Sequence, residues 1–375
     1  MNPSQYLPFE DQAMTPSVGF TREITGGLIR RMLFTVAGTV TNVLAPSVTR
    51  AGAASLMGDI RLLQDGSTFA SLLAYDAKLC TDLFFGGVGE QVDNDTASST
   101  VNVADVLDLD WGRIFPGAGV DASNGHRAGV RIDPAPAADY SETSTNYALT
   151  WRGQAEHEGG NTADAYSLPR LSYEVKPVEA ASSQILIDKQ FEHDGFLIGF
   201  SIRQRDASAN LRVEQVDGLV KRMKVKHVRG NGSGSSDLFD GTWRQLKKIT
   251  QQRFRVPSAR RTFLPAAALE GLEPGFAFFP FYNPKGPAKS GRITKNDRLQ
   301  IMLDSSGTAE TPYTNVVPAA GDQAIVHFWF FSPAAPGSAD RMQRGVVPTT
   351  RQTAQVARAA APSRGRTFFG GGRRR

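Results

Sequence analysis

Hydrophobic and polar positions follow two runs of similar order along this 375-residue chain. The first strongly patterned stretch is Ile24–Val43, "ITGGLIRRMLFTVAGTVTNV". From Met32 to Val40 it is rich in β-branched and apolar residues with partial alternation, which predicts one long strand or two joined strands. "MGDIRLLQDG" follows and predicts a strand ending in an Asp-Gly turn. In "DGSTFASLL", Ser67 or Thr68 is placed to cap a helix, because its hydroxyl can accept from the unpaired N–H groups of a first turn. Phe69, Leu72, Leu73 and Leu79 then fall near one helical face, running toward Phe84 and Phe85, and Gly86-Gly87 closes the segment. Val106–Phe115 alternates and predicts a strand. Residues 116–146 are rich in Gly, Ala, Pro, Asp and Ser, and predict a long surface excursion. Alternation resumes at Asn146–Gln154, and Glu156–Tyr166 reads as a polar linker.

The second half repeats this order. Ser183–Arg205 predicts apolar strands. Val220–Val228, "VKRMKVKHV", alternates almost throughout: Val220, Met223 or Val225, and Val228 face inward while Lys and Arg face water. A Gly-Ser loop leads to "FDGTWRQL", where Thr242 takes the capping role and Trp243, Leu246 and Ile249 form an apolar helix face. Residues 271–296 are Gly- and Pro-rich, and Asp297–Asp304 and Gln323–Phe331 read as the last strands.

Both halves therefore run through paired strands, an Asp-Gly turn, a short capped helix, a Gly/Pro-rich excursion and closing strands. The echo of "DGSTF" in "DGTW" makes Phe69 and Trp243 the expected equivalent anchors of two repeats. Many short strands with long loops point to antiparallel sandwiches, since an α/β fold needs a crossover helix after nearly every strand. Jelly rolls tolerate long loops because two packed sheets carry the core. The expected fold is all-β with a few short helices: two tandem antiparallel jelly-roll sandwiches, a double jelly roll. The expected division is an arm over 1–17, a first roll over 18–157, a linker over 158–180, a second roll over 181–333 and a basic tail over 334–375.

Length agrees, because 375 residues exceed one ordinary core. No stretch approaches the roughly 18 apolar residues of a membrane span. The N-terminal residues have neither the basic nor the apolar region of a signal peptide. The single cysteine, Cys80, forbids an intrachain disulfide and reads as a small buried hydrophobe.

Candidate chemistry is sparse. His157 lies between Glu156 and Glu158, but adjacent strand residues point to opposite faces, which is poor geometry for a metal. His227 alternates with Lys224 and Lys226 on an expected exposed face. His327, inside "IVHFWFF", reads as a core or interface residue, and His126 and His193 have no acid or nucleophile at a recognisable spacing. Asp108 and Asp110 share a strand face; a paired-carboxylate reading for glycoside hydrolysis competes with a plain polar sheet face. Asp93–Ser98 lacks the Gly and Glu of a calcium loop. The Gly-rich stretches near Gly86 and Gly230 lack the Lys-Ser/Thr of a phosphate loop. No cofactor, metal or catalytic residue is expected.

Charge adds one feature. The net charge is +5, yet Asp340–Arg375 carries +8 and the rest −3. This Arg-rich, Ala/Pro/Gly-spaced tail cannot bury enough apolar surface to fold alone. Arg341, Arg344, Arg351, Arg358, Arg364, Arg366, Arg373, Arg374 and Arg375 are the candidate contacts to an anion, either nucleic-acid phosphate or lipid headgroup. Phe368-Phe369 could stack on bases or insert at a lipid interface.

"GLIRRMLFTVAGTVTN" with "DIRLLQDGSTFASLLAYD", and "DGFLIGFSIR", "VKRMKVKHV", "FDGTWRQLKK" and "DRLQIMLDSS", together resemble the double jelly-roll major capsid proteins of tailless icosahedral viruses, the membrane-containing phages and the adenovirus lineage among them. The similarity covers about Gly19 to Pro333 and is one of pattern and order. It implies a homotrimer of pseudo-hexagonal outline that tiles an icosahedral shell, with long loops forming outer towers, for which residues 116–146 and 271–296 are the candidates. It implies no active site. The partners would be other copies, minor capsid and vertex proteins, and membrane lipid or genome through the tail. The location would be the virion, after synthesis in the host cytoplasm. The competing readings are a two-jelly-roll carbohydrate-active or amidase-type enzyme, and a lectin-like, receptor-binding or minor spike protein.

Overall fold

The computed structural model describes residues 5–334, apart from 25, 44–51, 86–97, 116, 123–126, 142, 159–165, 179–183, 207–216, 233, 257–271, 282–290, 311–312 and 314. The basic tail and its nine candidate arginines lie outside the described residues.

The first half contains β1 (Gln5–Pro8), β2 (Gln12–Met14), β3 (Phe20–Ile24), β4 (Leu28–Val43), β5 (Asp59–Gln64), β6 (Ser67–Leu73), α1 (Ala74–Phe85), β7 (Ser98–Asp110), α2 (Trp111–Ile114), β8 (Val120–Asp121), β9 (Ala128–Asp133) and β10 (Asn146–Glu158). The second contains β11 (Tyr166–Pro177), β12 (Gln184–Gln190), β13 (Gly195–Arg205), β14 (Arg222–Val228), β15 (Ser235–Thr242), α3 (Trp243–Phe254), β16 (Phe276–Pro280), β17 (Arg292–Ile293), β18 (Arg298–Asp304) and β19 (Gln323–Ala334).

These strands form four antiparallel sheets. Sheet I is β1-β10-β4-β7, with β2 on β10 and β8 on β4; sheet II is β3-β9-β5-β6. Sheet III is β11-β19-β13-β16, with β17 on β13; sheet IV is β12-β18-β14-β15. Sheet III repeats the strand order of sheet I, and sheet IV repeats that of sheet II. Each half is a two-sheet jelly roll, as the sequence pattern predicts.

The equivalence extends to register. In sheet II, Leu62 pairs with Ala70 and Leu63 with Thr68, so Phe69 is the bulged residue. In sheet IV, Val225 pairs with Phe239 and Lys226 with Asp237, so Leu238 is the bulged residue. A bulge leaves one residue outside the ladder and re-aims its side chain. β4 and β13 also match: Arg30 is skipped in the pairing with β10, and Ile198 in the pairing with β19.

Several expectations change. Ser67 and Thr68 do not cap a helix; they begin β6, on the far side of a tight turn. Asp65 and Gly66 both have positive φ, 50° and 80°, the backbone of a two-residue hairpin whose twist matches the strands it joins. The hairpin takes "STFASLL" into a ladder, and the helix waits until Ala74. Thr242, by contrast, does cap: its side chain accepts from Gln245 N–H while the Gln245 side chain accepts from Thr242 N–H. Phe69 is thus a strand residue and Trp243 the first residue of a helix, and the two are not equivalent. Leu238 answers to Phe69, and Ala74 to Trp243.

The arm and the linker are also strands. β1 and β2 pair with β10, and β11 pairs along its whole length with β19. The excursions 116–146 and 271–296 contain β9, inside sheet II, and β16, on sheet III. Their Gly and Pro neighbours masked the short apolar runs "AGVRID" and "FAFFP". Trp111–Ile114 turns helical after β7, with Asp110 accepting from Arg113 N–H as its cap.

Candidate functional site: the joint between the two rolls

Strands β13, β16 and β19 of sheet III are buried on both faces. One face, with Phe200, Ala277, Val326, Phe328 and Phe330, lies in the second roll's own core. The other, with Phe276, Phe278, Trp329 and Phe331, joins the core of the first roll. A strand covered on both sides reads as a continuous apolar run rather than an alternating one, which is why β19 carries "AIVHFWFF".

α1 is the first roll's side of this joint. Its residues Ala74 to Thr81 are all buried, polar ones included. An amphipathic surface helix leaves one face wet; the first eight residues of α1 leave none, because sheet III covers what its own roll does not. Near its end, Phe84 meets Trp329 edge-on at 5.0 Å between ring centroids, Phe278 at 5.3 Å and Phe254 of α3 at 5.8 Å. Phe115 adds a second patch, 5.2 Å from Phe331 and 5.4 Å from Phe196.

An ion pair crosses this buried joint. Arg203 on β13 donates Nε and Nη2 to the Asp76 carboxylate at 3.0 and 2.9 Å, and both side chains are buried. The guanidinium also lies over the Tyr75 ring, 4.4 Å from its centroid. Burial opposes the charge on Arg203, but Asp76 outweighs it and holds the guanidinium above its ordinary pKa. A buried pair contributes little net stability against apolar residues of the same shape, yet it penalises any arrangement that separates the partners. It therefore fixes the relative placement of the two rolls.

His327 lies on the same face of β19, fully buried, with neither ring nitrogen hydrogen-bonded. Burial lowers its pKa to about 4, so it is neutral at pH 7 and packs as a ring, as expected from its apolar run. Cys80 is buried and free, and burial pushes its thiol well above the ordinary range. That is the environment of a packing residue, not of a nucleophile.

A second buried ion pair anchors α3 inside the second roll. Lys247 donates to both Asp217 oxygens at 2.9 Å, and Trp243 Nε1 and Gly275 N–H donate to the same carboxylate at 2.7 and 2.9 Å. The first roll holds a looser counterpart, Lys78 with Asp82 at 3.2 Å and Asp105 at 3.8 Å. Lys78 and Lys247 are each the fifth residue of a 12-residue helix, and Thr81 and Thr250 each the eighth. This lysine–threonine spacing is the true sequence echo of the repeat. It was legible in the sequence, but only once the two helix starts are aligned.

The remaining candidates have structural partners. Asp108 accepts two hydrogen bonds from Arg31, at 2.8 and 2.6 Å, so Asp108 and Asp110 serve a sheet-face ion pair and a helix cap. His227 is half-buried rather than exposed and lies 3.1 Å from the Asp297 carboxylate. His157 is buried against Gly26, where a Cβ would come within 2.5 Å of the ring; only glycine fits at its φ of 139°. His193 is drawn down to about 4 by burial and by Arg170, and His126 lies outside the described residues. Among the described residues, no group of three His, Cys, Asp or Glu side chains is placed to hold a metal. No described helix is long and apolar enough to cross a membrane.

No protein-family model matches the sequence, and no curated protein sequence matches it. Solved structures do match in fold. A chain in the atomic structure of Sulfolobus turreted icosahedral virus superposes with a TM-score of 0.61 at 13% identity, over 95% of this chain and 96% of that one. The PBCV-1 virus capsid gives 0.54 at 12% identity over 88% and 93%. The Faustovirus major capsid protein gives 0.53 at 7% identity over 88% and 90%. The fold of this chain is the double jelly roll, in the form seen in these virus shells.

Proposed function

We propose that this chain is a major capsid protein, a structural subunit and not an enzyme. The observation that carries this reading is the repeat itself: two rolls of the same strand order, fused through a buried aromatic joint, with a likeness in fold over nearly the full length of both chains. A chain with two equivalent rolls supplies six lobes from three copies, which matches a pseudo-hexagonal capsomer able to tile an icosahedral shell. Asp108 and Asp110 are engaged by Arg31 and by Arg113 N–H, and Cys80 and His327 are buried as packing residues, which supports a structural rather than a catalytic reading.

The virion is then the site of action. The partners are other copies of the chain, neighbouring capsomers, and minor capsid and vertex proteins. The Arg-rich tail is read as facing inward, where lipid headgroups or genome would supply anions. Light scattering on the purified protein, followed by electron microscopy, tests the main reading. The expected result is a trimer of hexagonal outline; a monomer at every concentration and salt would overturn it. For the tail, deletion of 341–375 should leave the thermal midpoint unchanged and remove binding to anionic vesicles or to nucleic acid, whichever the full chain binds. A full chain that binds neither overturns the anion role.

A further inference from the structure

Two basic side chains turn inward where the edges of sheets III and IV meet, at β11 and β12. On β12, Ile185, Ile187 and Lys189 share one face, opposite Leu303, Ile301 and Leu299 of β18. Those three β18 residues are fully buried in the second core, so Lys189 belongs to the core side of its strand. Its ammonium lies 5.6 Å from the centroid of the core ring Phe328. On β11, Arg170 stands opposite Phe330, on the face of sheet III that lines the same core. His193 follows in the turn from β12 to β13. Arg170, Lys189 and His193 line one recess of about 210 Å³, walled by Phe69, Phe191 and Phe330.

The fold does not require a cation at this corner. Gln64 and His227 are each the second residue past the matching positions Leu62 and Val225, across the bulges of β5–β6 and β14–β15. Gln64 pairs with Ala128, whose other partner is Ile24. His227 pairs with Leu299, whose other partner is Lys189. Ile24 therefore holds the register position of Lys189, and it is 2% exposed. One roll closes the corner with an isoleucine; the other turns an ammonium into it. Desolvating a charge without a counter-charge opposes stability, and a residue that breaks the local pattern at such a cost points to function.

The acids nearby are engaged or exposed. Glu174, the acid that acts most strongly on Lys189, pairs with Lys176 at 3.2 Å. Asp194 accepts the backbone N–H of Lys295 at 2.8 Å. Glu192 is exposed at the rim. Among the described residues, no hydrogen bond or ion pair engages the Lys189 ammonium or the His193 ring. Arg170 Nε donates to Ser332 Oγ at 2.8 Å, which fixes the guanidinium at the wall. Burial opposes the charge on all three: it lowers Lys189, draws Arg170 down to about 10 and, with Arg170, holds His193 near 4. Perturbed groups converging on one recess are a mark of a binding site. At about 30 Å³ for each water, the recess takes a phosphate-sized ion and a few waters. It is smaller than the roughly 300 Å³ at which sites for larger molecules begin.

We propose that this recess binds a phosphate-like oxyanion, held by Lys189 and His193 beside Arg170. The lysine supplies a point charge, the arginine a planar fork and the neutral imidazole one N–H. The bound ion is the counter-charge that the recess lacks, and it ties β11 of sheet III to β12 of sheet IV next to Phe69 of the first roll. This site is independent of the capsid reading.

Calorimetric titration of the full chain with inorganic phosphate, in chloride buffer at constant ionic strength, tests it. Lys189→Ile, which installs the first roll's residue, should weaken binding about tenfold or more, as for loss of a charge-assisted hydrogen bond. In phosphate-free buffer the same variant should raise the thermal midpoint, because a desolvated charge is gone. Should it fail to fold, Lys189→Gln serves in its place. Sulfate, whose own charge is constant near neutral pH, reads the protein's protonation. Arg170 and Lys295 oppose a charge on His193, whereas Glu192 and Asp194 favour it; a bound anion adds to the second group. Sulfate affinity should therefore rise as pH falls from about 8 to 5, and His193→Gln should flatten that rise. A full chain that binds phosphate no better than chloride overturns the site. Phosphate binding unchanged in both the Lys189 and His193 variants also overturns it, and assigns the anion to another surface such as the basic tail.

Discussion

Asp76 and Arg203 belong to different rolls and meet in a buried, two-bonded ion pair, at 3.0 and 2.9 Å. The pair has no role within either roll taken alone. Removing one partner strands the other charge in the buried joint. Arg203→Ala or Asp76→Ala should therefore cost about 3–5 kcal/mol, measured by urea unfolding, with near-ultraviolet dichroism reporting loss of the surrounding aromatic packing. Replacing both with apolar residues of similar volume should recover most of that cost.

Acid should weaken the joint through His327. Its folded pKa lies near 4, below the ordinary 6.5, so the unfolded chain binds the extra proton first. Stability is full above about pH 6.5 and falls as pH drops toward 4. His193, lowered to about 4, adds to the same window. His327→Phe should flatten the pH dependence of the thermal midpoint between pH 7 and 4.5, leaving the slope due to His193 and to His157, whose pKa burial also lowers. An unchanged slope would remove His327 as its source.

Phe69 and Leu238 hold the same bulge in the two rolls, yet one is covered and the other is not. Phe69→Ala should cost about 2 kcal/mol, somewhat under the usual figure for a fully buried ring. Leu238→Ala should cost under about 0.5 kcal/mol in a dissociated chain. Chemical denaturation of the two variants side by side checks the difference.

α3 is held by Asp217 and by its cap. Asp217→Ala leaves Lys247 buried without its counter-charge and should cost about 3–5 kcal/mol. Thr242→Ala removes one accepted N–H and should cost about 1 kcal/mol. Thermal unfolding of both variants orders them; a cap loss larger than the Asp217 loss would contradict this account of the helix.

The sequence by itself determined the sandwich class, the repeat and the strands with a clear local pattern, such as β4, β14, β18 and β19. Alternation over β14 and the apolar run of β19 are local properties, and a side chain's period follows from the strand's own geometry. The capping box at Thr242 is likewise local, since Thr and Gln three residues apart suffice. The near-match "DGSTF" and "DGTW" misled because it compares residue types, not positions. Asp65-Gly66 closes a hairpin, whereas Asp240-Gly241 ends a strand, and only the cross-strand register distinguishes them. The same blindness made β1, β2 and β11 look like arm and linker. Each is an edge strand whose hydrogen bonds go to a partner far along the chain. What the tertiary structure alone decided is which surfaces are shared. α1 is polar enough in sequence to lie on a surface, with Asp76 and Lys78 in its first half, yet sheet III covers it and Arg203 neutralises Asp76. Burial of that kind is set by a contact between rolls, and no window of one roll's sequence contains it.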